Sequence, residues 1–373
     1  MKTTIFNFTP RFNLAQESAY NILASSNIHE LPINLKKLIR SYNIQLQTYT
    51  QFAKDLNISL DMVISLCASN DGCIMKRNDG TYLLLYNDLI PYKGRIRFTL
   101  AHEFGHFILK HHDETKDTLI SRKNPFAKLN DKNYESFEQE ANYFAKRLLV
   151  PIPLVNEYST YFETPLSPKI VSKIFGTSKE VAGYIIQEIN KRNKNISIKK
   201  ETHFLLDNFK QFIAQELYTK LCTHCNSISN LSSSFCNICG SNHFIKPTLN
   251  NFIQLHNLKR NSLMIYPKLK LDKDGRLAEK CPICENENLH DHYCQICGKD
   301  IINKCTGIKE TNNGFLTPQK TCNTILEGDA RYCYICGARS TFLENELLPP
   351  WEKQFKNVND RKNKASKSIK TAG

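Results

Sequence analysis

Three short stretches of this sequence repeat one another: Phe235-Cys-Asn-Ile-Cys-Gly240, Tyr293-Cys-Gln-Ile-Cys-Gly298 and Tyr332-Cys-Tyr-Ile-Cys-Gly337. Nothing else constrains the possible folds of the chain as strongly. Each repeat has a companion upstream. Cys222 and Cys225 precede Cys236 and Cys239, Cys281 and Cys284 precede Cys294 and Cys297, and Cys305 and Cys322 precede Cys333 and Cys336. Four thiolates close a tetrahedral zinc site and leave no position for water, so the spacing predicts three structural zinc ribbons. Modules this short have too little core to fold without their metal. The glycine after each second cysteine suits a knuckle whose amides point at the thiolates. His224, His290 and His292 lie nearby, but four cysteines per set leave them no required role.

Twelve of the 14 cysteines lie after residue 220. The first ten residues have no long apolar core of the kind a secretory signal needs. Paired thiols in such a chain point to metal ligands in a reducing cytoplasm rather than to disulfides. No run of about 18 apolar residues occurs, so no membrane contact is expected. With 373 residues there is room for two or three domains. The formal charge of +14 favours an acidic partner, nucleic acid first. Lys353, Lys356, Arg361, Lys362, Lys364, Lys367 and Lys370 crowd the last 23 residues against Glu352 and Asp360. DNA contact through the ribbons and this tail is one expectation, and a disordered solubilising tail is the other.

The upstream half carries different chemistry. Arg95-Ile-Arg-Phe-Thr-Leu-Ala-His-Glu-Phe-Gly-His-Phe-Ile-Leu109 puts His102 and His106 four residues apart, on one face of a helix. Two neutral imidazoles so placed can hold zinc, and Glu103 can take a proton from water activated there. By chance such a motif should appear in on the order of one chain in a hundred, so its surroundings matter. Phe98, Leu100, Ala101, Phe104, Ile108 and Leu109 make this a buried helix, where unpaired polar groups are costly. Gly105 is a poor helix former that fits where another backbone approaches closely.

A third ligand must come from elsewhere. The helix expected from Tyr134 to Val150 buries Phe137, Ala141, Phe144, Ala145 and Leu148, and Glu138 borders that stripe. One carboxylate added to two histidines leaves the fourth position for water, as catalytic zinc requires. Glu135 and Glu140 compete for this place, although Glu140 points about 200 degrees around the helix from Glu138. Asn142, one turn on, is placed to bond a ligand histidine from behind. Before the histidine helix, the pattern reads helix (Leu35 to Tyr42), strand (Ile44 to Tyr49), two helices parted by Asn57 and Ser59, then a hairpin around Asn78-Asp-Gly80. A small antiparallel sheet is expected, one edge of which is open to an extended peptide. Residues 110–132 read as a polar loop. Tyr86, Tyr92 and Arg97 are unranked candidates to stabilise an oxyanion.

Gly94-Arg-Ile-Arg-Phe-Thr-Leu-Ala-His-Glu-Phe-Gly-His106, Glu138-Gln-Glu-Ala-Asn-Tyr-Phe-Ala145 and Leu148-Leu-Val-Pro151 together resemble the ImmA/IrrE metallopeptidases, over about residues 31–189. The resemblance implies His102, His106 and Glu138 as zinc ligands and Glu103 as general base. It also implies a helix-turn-helix repressor as substrate, whose cleavage relieves repression of mobile-element or stress genes. The segment from Pro168 to Ile186 reads as helix, turn at Gly176, helix, with Thr177 and Glu180 as a capping box. Such a pair can read DNA or simply pack, and only Lys179 on its second helix could reach bases.

The expected fold is α+β: a gluzincin-like metallopeptidase domain with helices on a small antiparallel sheet, then a helix-turn-helix-like segment and small four-cysteine zinc ribbons. The expected boundaries are an N-terminal extension 1–35, the peptidase domain 36–200 and a linking helix 201–217. Ribbons at 218–248, 279–301 and 302–345, a connector 249–278 and a basic tail 346–373 complete the chain. One catalytic and about three structural zinc ions are expected, with a protein substrate. The rival reading is a DNA- or protein-binding regulator on a vestigial peptidase fold, for which His102, Glu103, His106 and Glu138 would all be unnecessary.

Overall fold

The computed structural model describes residues 9–115, 118, 131–192, 200–312, 315–320 and 322–353. The chain divides into two compact units after Ala214. The first unit opens with helix α1 (Phe12–Ser25), α2 (Leu35–Arg40), strand β1 (Ile44–Thr48), α3 (Tyr49–Leu56) and α4 (Leu60–Cys67). Strands β2 (Gly72–Lys76) and β3 (Tyr82–Tyr86) lead into α5 (Lys93–Ile108) and α6 (His111–Thr115). Helices α7 (Asp131–Leu149), α8 (Ile152–Tyr161), α9 (Pro168–Phe175), α10 (Lys179–Arg192) and α11 (Lys200–Leu217) follow.

Local chemistry explains most of these limits. Thr48 caps α3 by accepting from the Gln51 amide, Asn57 ends it in the left-handed region at φ 53, and Ser59 caps α4. The Asp-Gly turn closes the β2–β3 hairpin with Gly80 at φ 83. The sheet order is β1-β3-β2. β2 is antiparallel to β3, but β1 lies parallel to it, Ile44 opposite Tyr82 and Thr48 opposite Tyr86. The sheet is therefore mixed, not antiparallel as expected. Two reversals, the α3–α4 pair and the hairpin, leave β1 and β3 pointing the same way. β3 takes the centre because Leu83, Leu84 and Leu85 are buried on both of its faces.

Residues 9–35 carry a packed helix. α1 buries Ala15, Ala19, Tyr20, Ile22 and Leu23, and the Tyr20 hydroxyl accepts from the Ile152 amide at 3.3 Å. Asn208 of α11 donates to the carbonyls of Leu23 and Ile28 at 2.6 and 3.1 Å, securing the end of α1. α5 and α7 approach each other closely. A Cβ on Gly105 would lie 2.9 Å from Phe144 Cδ1 and 3.3 Å from Ala141 Cα, so glycine here admits the neighbouring backbone. At the helix-turn-helix-like pair, Gly176 ends α9 at φ 63. The cap of α10 is Ser178, whose hydroxyl accepts from the Val181 amide at 3.2 Å. This displaces the expected Thr177 box by one residue, and the Thr177 hydroxyl is buried without a partner among the described residues. α10 packs by turning Glu188 onto the fully buried guanidinium of Arg147.

In the second unit, β4 (Thr219–Cys222) pairs antiparallel with β5 (Ile228–Asn230) and β6 (Phe244–Ile245). Helix α12 (Phe252–Ser262), the hairpin β7 (Ile308–Asn312) with β8 (Phe315–Lys320), and α13 (Thr341–Glu344) complete it. The connector is shared: the Tyr266 hydroxyl donates to the Cys225 carbonyl of the first ribbon at 2.8 Å, whereas Leu277 is buried with Cys281 and Cys294 of the second. Trp351 is buried in the same cluster, and Leu347 and Leu348 in that of the second ribbon, so packing runs past residue 346. The tail lysines and arginine beyond Lys353 lie outside the described residues. No described helix is long and apolar enough to cross a membrane.

Candidate active site

α5 and α7 cross where Gly105 meets Ala141, and this brings their polar residues face to face. His102 Nε2 and His106 Nε2 lie 3.1 Å apart, and the two oxygens of Glu138 lie 3.4 Å from them. A tetrahedral zinc with ligands at about 2.05 Å would space them about 3.3 Å apart, so this triangle fits the ion. The Glu138 carboxyl is held below the usual carboxylate range: burial raises it, but hydrogen bonds with His102 and His106 outweigh that. Burial pushes His106 down to about 4, the neutral form a ligand needs. Glu135 is exposed and Glu140 faces elsewhere, so neither joins the triangle.

Glu103 sits next to the first ligand. Burial, above all, pushes its carboxyl up to about 7, and its Oε2 accepts from the Ile74 amide at 2.9 Å. A carboxylate so tuned can take and return a proton near neutral pH. The Ile74 carbonyl is also occupied, accepting from His112 Nε2 at 3.2 Å. Two further β2 amides are engaged, Gly72 by the Ser69 hydroxyl and Lys76 by the Thr118 carbonyl. The outer edge of β2 is thus closed, and of the two edges of the sheet only β1 could be the open one expected.

Each histidine of the triangle is held from behind. His102 Nδ1 bonds Asn142 Oδ1 at 3.1 Å. His106 is held by a residue that sequence reasoning missed. Its Nδ1 lies 2.8 Å from His111 Nδ1, and His111 Nε2 lies 3.0 Å from Glu140 Oε2. Arg11 closes the chain, its Nε and Nη2 both donating to Glu140 at 2.9 Å and its backbone amide at 2.7 Å. A ligand using Nε2 carries its proton on Nδ1, and that fixes every tautomer. His106 donates to His111, and His111 donates to Glu140. Despite burial, which raises it, Glu140 is held at about 2 by His111 and Arg11. His111 and Glu140 are both fully buried. The one available signal was the His111-His112 pair just past the histidine helix, in the stretch read as a loop. α6 occupies its start, and residues 116, 117 and 119–130 lie outside the described residues.

None of the three oxyanion candidates is hydrogen-bonded to the triangle among the described residues. Arg97 donates to the Phe175 carbonyl, the Tyr86 hydroxyl accepts from Lys36 at 2.7 Å, and Tyr92 is exposed at the start of α5.

The cysteines assemble as three tetrads: Cys222, Cys225, Cys236, Cys239; Cys281, Cys284, Cys294, Cys297; and Cys305, Cys322, Cys333, Cys336. Sulfurs around zinc at about 2.3 Å would be about 3.75 Å apart. The separations are 3.6 and 3.6 Å in the first, 3.6 and 3.5 Å in the second, and 3.4 and 3.8 Å in the third. The β7–β8 hairpin spans the long gap between Cys305 and Cys322, so these two meet without being a sequence pair. None of the three nearby histidines joins a tetrad; His224 instead packs its ring against Trp351.

No curated protein matches the chain. A family model does, over residues 70–186, which include all four residues of the triangle and its base. That part of the chain is similar to the IrrE N-terminal-like domain of the Peptidase_M78 family, which suggests a metallopeptidase of the ImmA/IrrE type, and cysteine clusters that fit zinc ribbons follow it.

Proposed function

We propose that the protein is a cytoplasmic zinc-dependent endopeptidase that cleaves a helix-turn-helix transcriptional repressor, relieving repression of mobile-element or stress genes. The observation that carries this reading is the triangle of His102, His106 and Glu138 with the half-buried carboxyl of Glu103, raised to about 7, beside it. Zinc, when bound there, supplies a Lewis acid for the scissile carbonyl and makes water acidic enough to be deprotonated near neutral pH. Glu103 takes that proton on its carboxylate and returns it to the leaving amine. Asn142 and the His111–Glu140–Arg11 chain fix the two imidazoles, so these ligands need little rearrangement to hold the ion. The cysteine tetrads have no open position and serve structure, three zinc ions in all. The ribbon unit recruits the repressor or its operator DNA.

The test is co-expression of the full chain with a neighbouring helix-turn-helix repressor. The wild type should cleave it, whereas Glu103→Gln should keep fold and metal yet lose cleavage, because an amide cannot accept the proton. Undiminished cleavage by Glu103→Gln would remove the mechanism. Recruitment through DNA should weaken steeply as salt rises, because phosphate contacts release counterions, and recruitment through apolar protein contacts should not.

A further inference from the structure

The three repeated knuckles have the same sequence pattern but different neighbours. Those of the first and third ribbons dock on each other. The amides of Ser234 and Phe235 both donate to the Tyr334 carbonyl, at 2.8 and 3.0 Å. In return, the amides of Arg331 and Tyr332 both donate to the Asn237 carbonyl, at 2.7 and 3.0 Å. The side chains reciprocate as well. A Cβ on Gly240 would meet the Tyr332 ring at 2.9 Å, and one on Gly337 would meet the Phe235 ring at 2.8 Å. Corresponding residues of the two knuckles thus make corresponding contacts in both directions, a local two-fold pairing inside one chain. The motif explains it. The aromatic residue before the first cysteine supplies a flat ring and a free amide. The residue between the cysteines supplies a carbonyl, and the bare glycine receives the partner's ring.

The second ribbon carries all these parts and uses none of them. Tyr293 is 58% exposed and Ile296 70% exposed. A Cβ on Gly298 would meet nothing within 4 Å. Neither the Tyr293 amide nor the Gln295 carbonyl has a hydrogen-bond partner among the described residues. Ile283 of the same ribbon, 47% exposed, adds apolar surface. The knuckle itself is formed as in the others, with Cys294 donating to the Lys299 carbonyl at 2.8 Å, as Cys333 does to that of Ala338 at 2.7 Å.

We propose that the knuckle at Tyr293-Cys-Gln-Ile-Cys-Gly298 is a self-docking surface, and that its occupant is the same knuckle of a second copy of this chain. A knuckle offers paired donors, one acceptor, one ring and one ring seat. Only another such knuckle matches all four in both directions, and the first and third ribbons show that match. A contact between two six-residue motifs is smaller than the roughly 1,200 Å² at which stable interfaces begin, so the pair forms reversibly with concentration.

The test is sedimentation velocity of the zinc-loaded full chain from low micromolar to several hundred micromolar. The sedimentation coefficient should climb toward that of a dimer, and Tyr293→Arg with Ile296→Lys should flatten the climb while zinc content stays unchanged. Hydrogen exchange on the wild type gives a second readout independent of any variant: residues 293–298 should become slower to exchange as concentration rises. A chain that stays monomeric throughout overturns the proposal. So does association that the double substitution leaves intact, protection that appears elsewhere, or pairing only with a foreign knuckle.

Discussion

Replacing Gly105 by alanine sets two opposing effects against each other, and the structure decides between them. In the middle of an ordinary helix, alanine in place of glycine stabilises by about 1 kcal/mol. Here the added Cβ would lie 2.9 Å from Phe144 Cδ1, 3.3 Å from Ala141 Cα and 3.4 Å from the Ala141 carbonyl oxygen. The backbone of α7 cannot swing aside as a surface side chain could. The Phe144 ring is fully buried, with Phe104 edge-on at 6.1 Å between ring centres. Overpacking of this kind costs about 1–3 kcal/mol. The net effect is a destabilisation of about 0–2 kcal/mol, a fall in Tm of a few degrees for a unit of this size. Relief requires α5 and α7 to part, and that also lengthens the 3.4 Å separations between Glu138 and the two histidines. Thermal melts of the full chain should therefore be run beside chelator competition, which should strip the peptidase site sooner and leave the ribbons unaffected. A Gly105→Ala protein that melts higher, with unchanged metal retention, would refute the claim that this contact sets the site.

Elemental analysis of protein purified without chelator should find about four zinc ions, and Glu138→Ala should remove one and spare three. His111→Leu should not abolish that site but loosen it, by about 10–100-fold in chelator competition, with a changed absorption spectrum of the cobalt-substituted protein. An unaltered spectrum and affinity would leave His111 a packing residue only. Lys259→Met should destabilise the ribbon unit by about 2–3 kcal/mol in denaturant unfolding of the zinc-loaded chain. The ammonium donates to the Gln215 and Glu216 carbonyls at 2.7 and 2.9 Å and to Thr219 Oγ1 at 3.1 Å, closing the C-terminus of α11, and methionine can replace none of these bonds.

What the sequence disclosed about the site was what covalent spacing enforces. His102 and His106 share a face because a helix turns every 3.6 residues, and the position of Glu138 beside a buried stripe follows from the same period. The cysteine tetrads were equally plain, since all but Cys305 and Cys322 come as pairs tied by two intervening residues. Arg11 was invisible because its partner Glu140 is 129 residues away and neither lies in a repeating pattern. By sequence Glu140 is only a rival ligand, and its place in the chain of hydrogen bonds depends on α1 packing against α7. Strand order was hidden for a similar reason: hydrophobic runs mark β1 and β3 as strands but carry no sign of which will neighbour which. The one-residue shift from Thr177 to Ser178 shows the grain of such reading, because either hydroxyl could cap α10 and tertiary packing chose. Trp351 looks like the edge of a polar stretch in the sequence, yet it is buried in one cluster with Cys222 and Cys225.

The closed edge of β2 interlocks two events that are usually thought of as separate. At Ile74, the amide holds Glu103 and the carbonyl holds His112. A peptide lying along this strand would need those same two groups, so it could not settle there while the carboxylate keeps its hold. On the proposed function, arrival of the substrate and release of Glu103 would then be one motion, and a ligand too short to reach Ile74 would leave Glu103 where it rests.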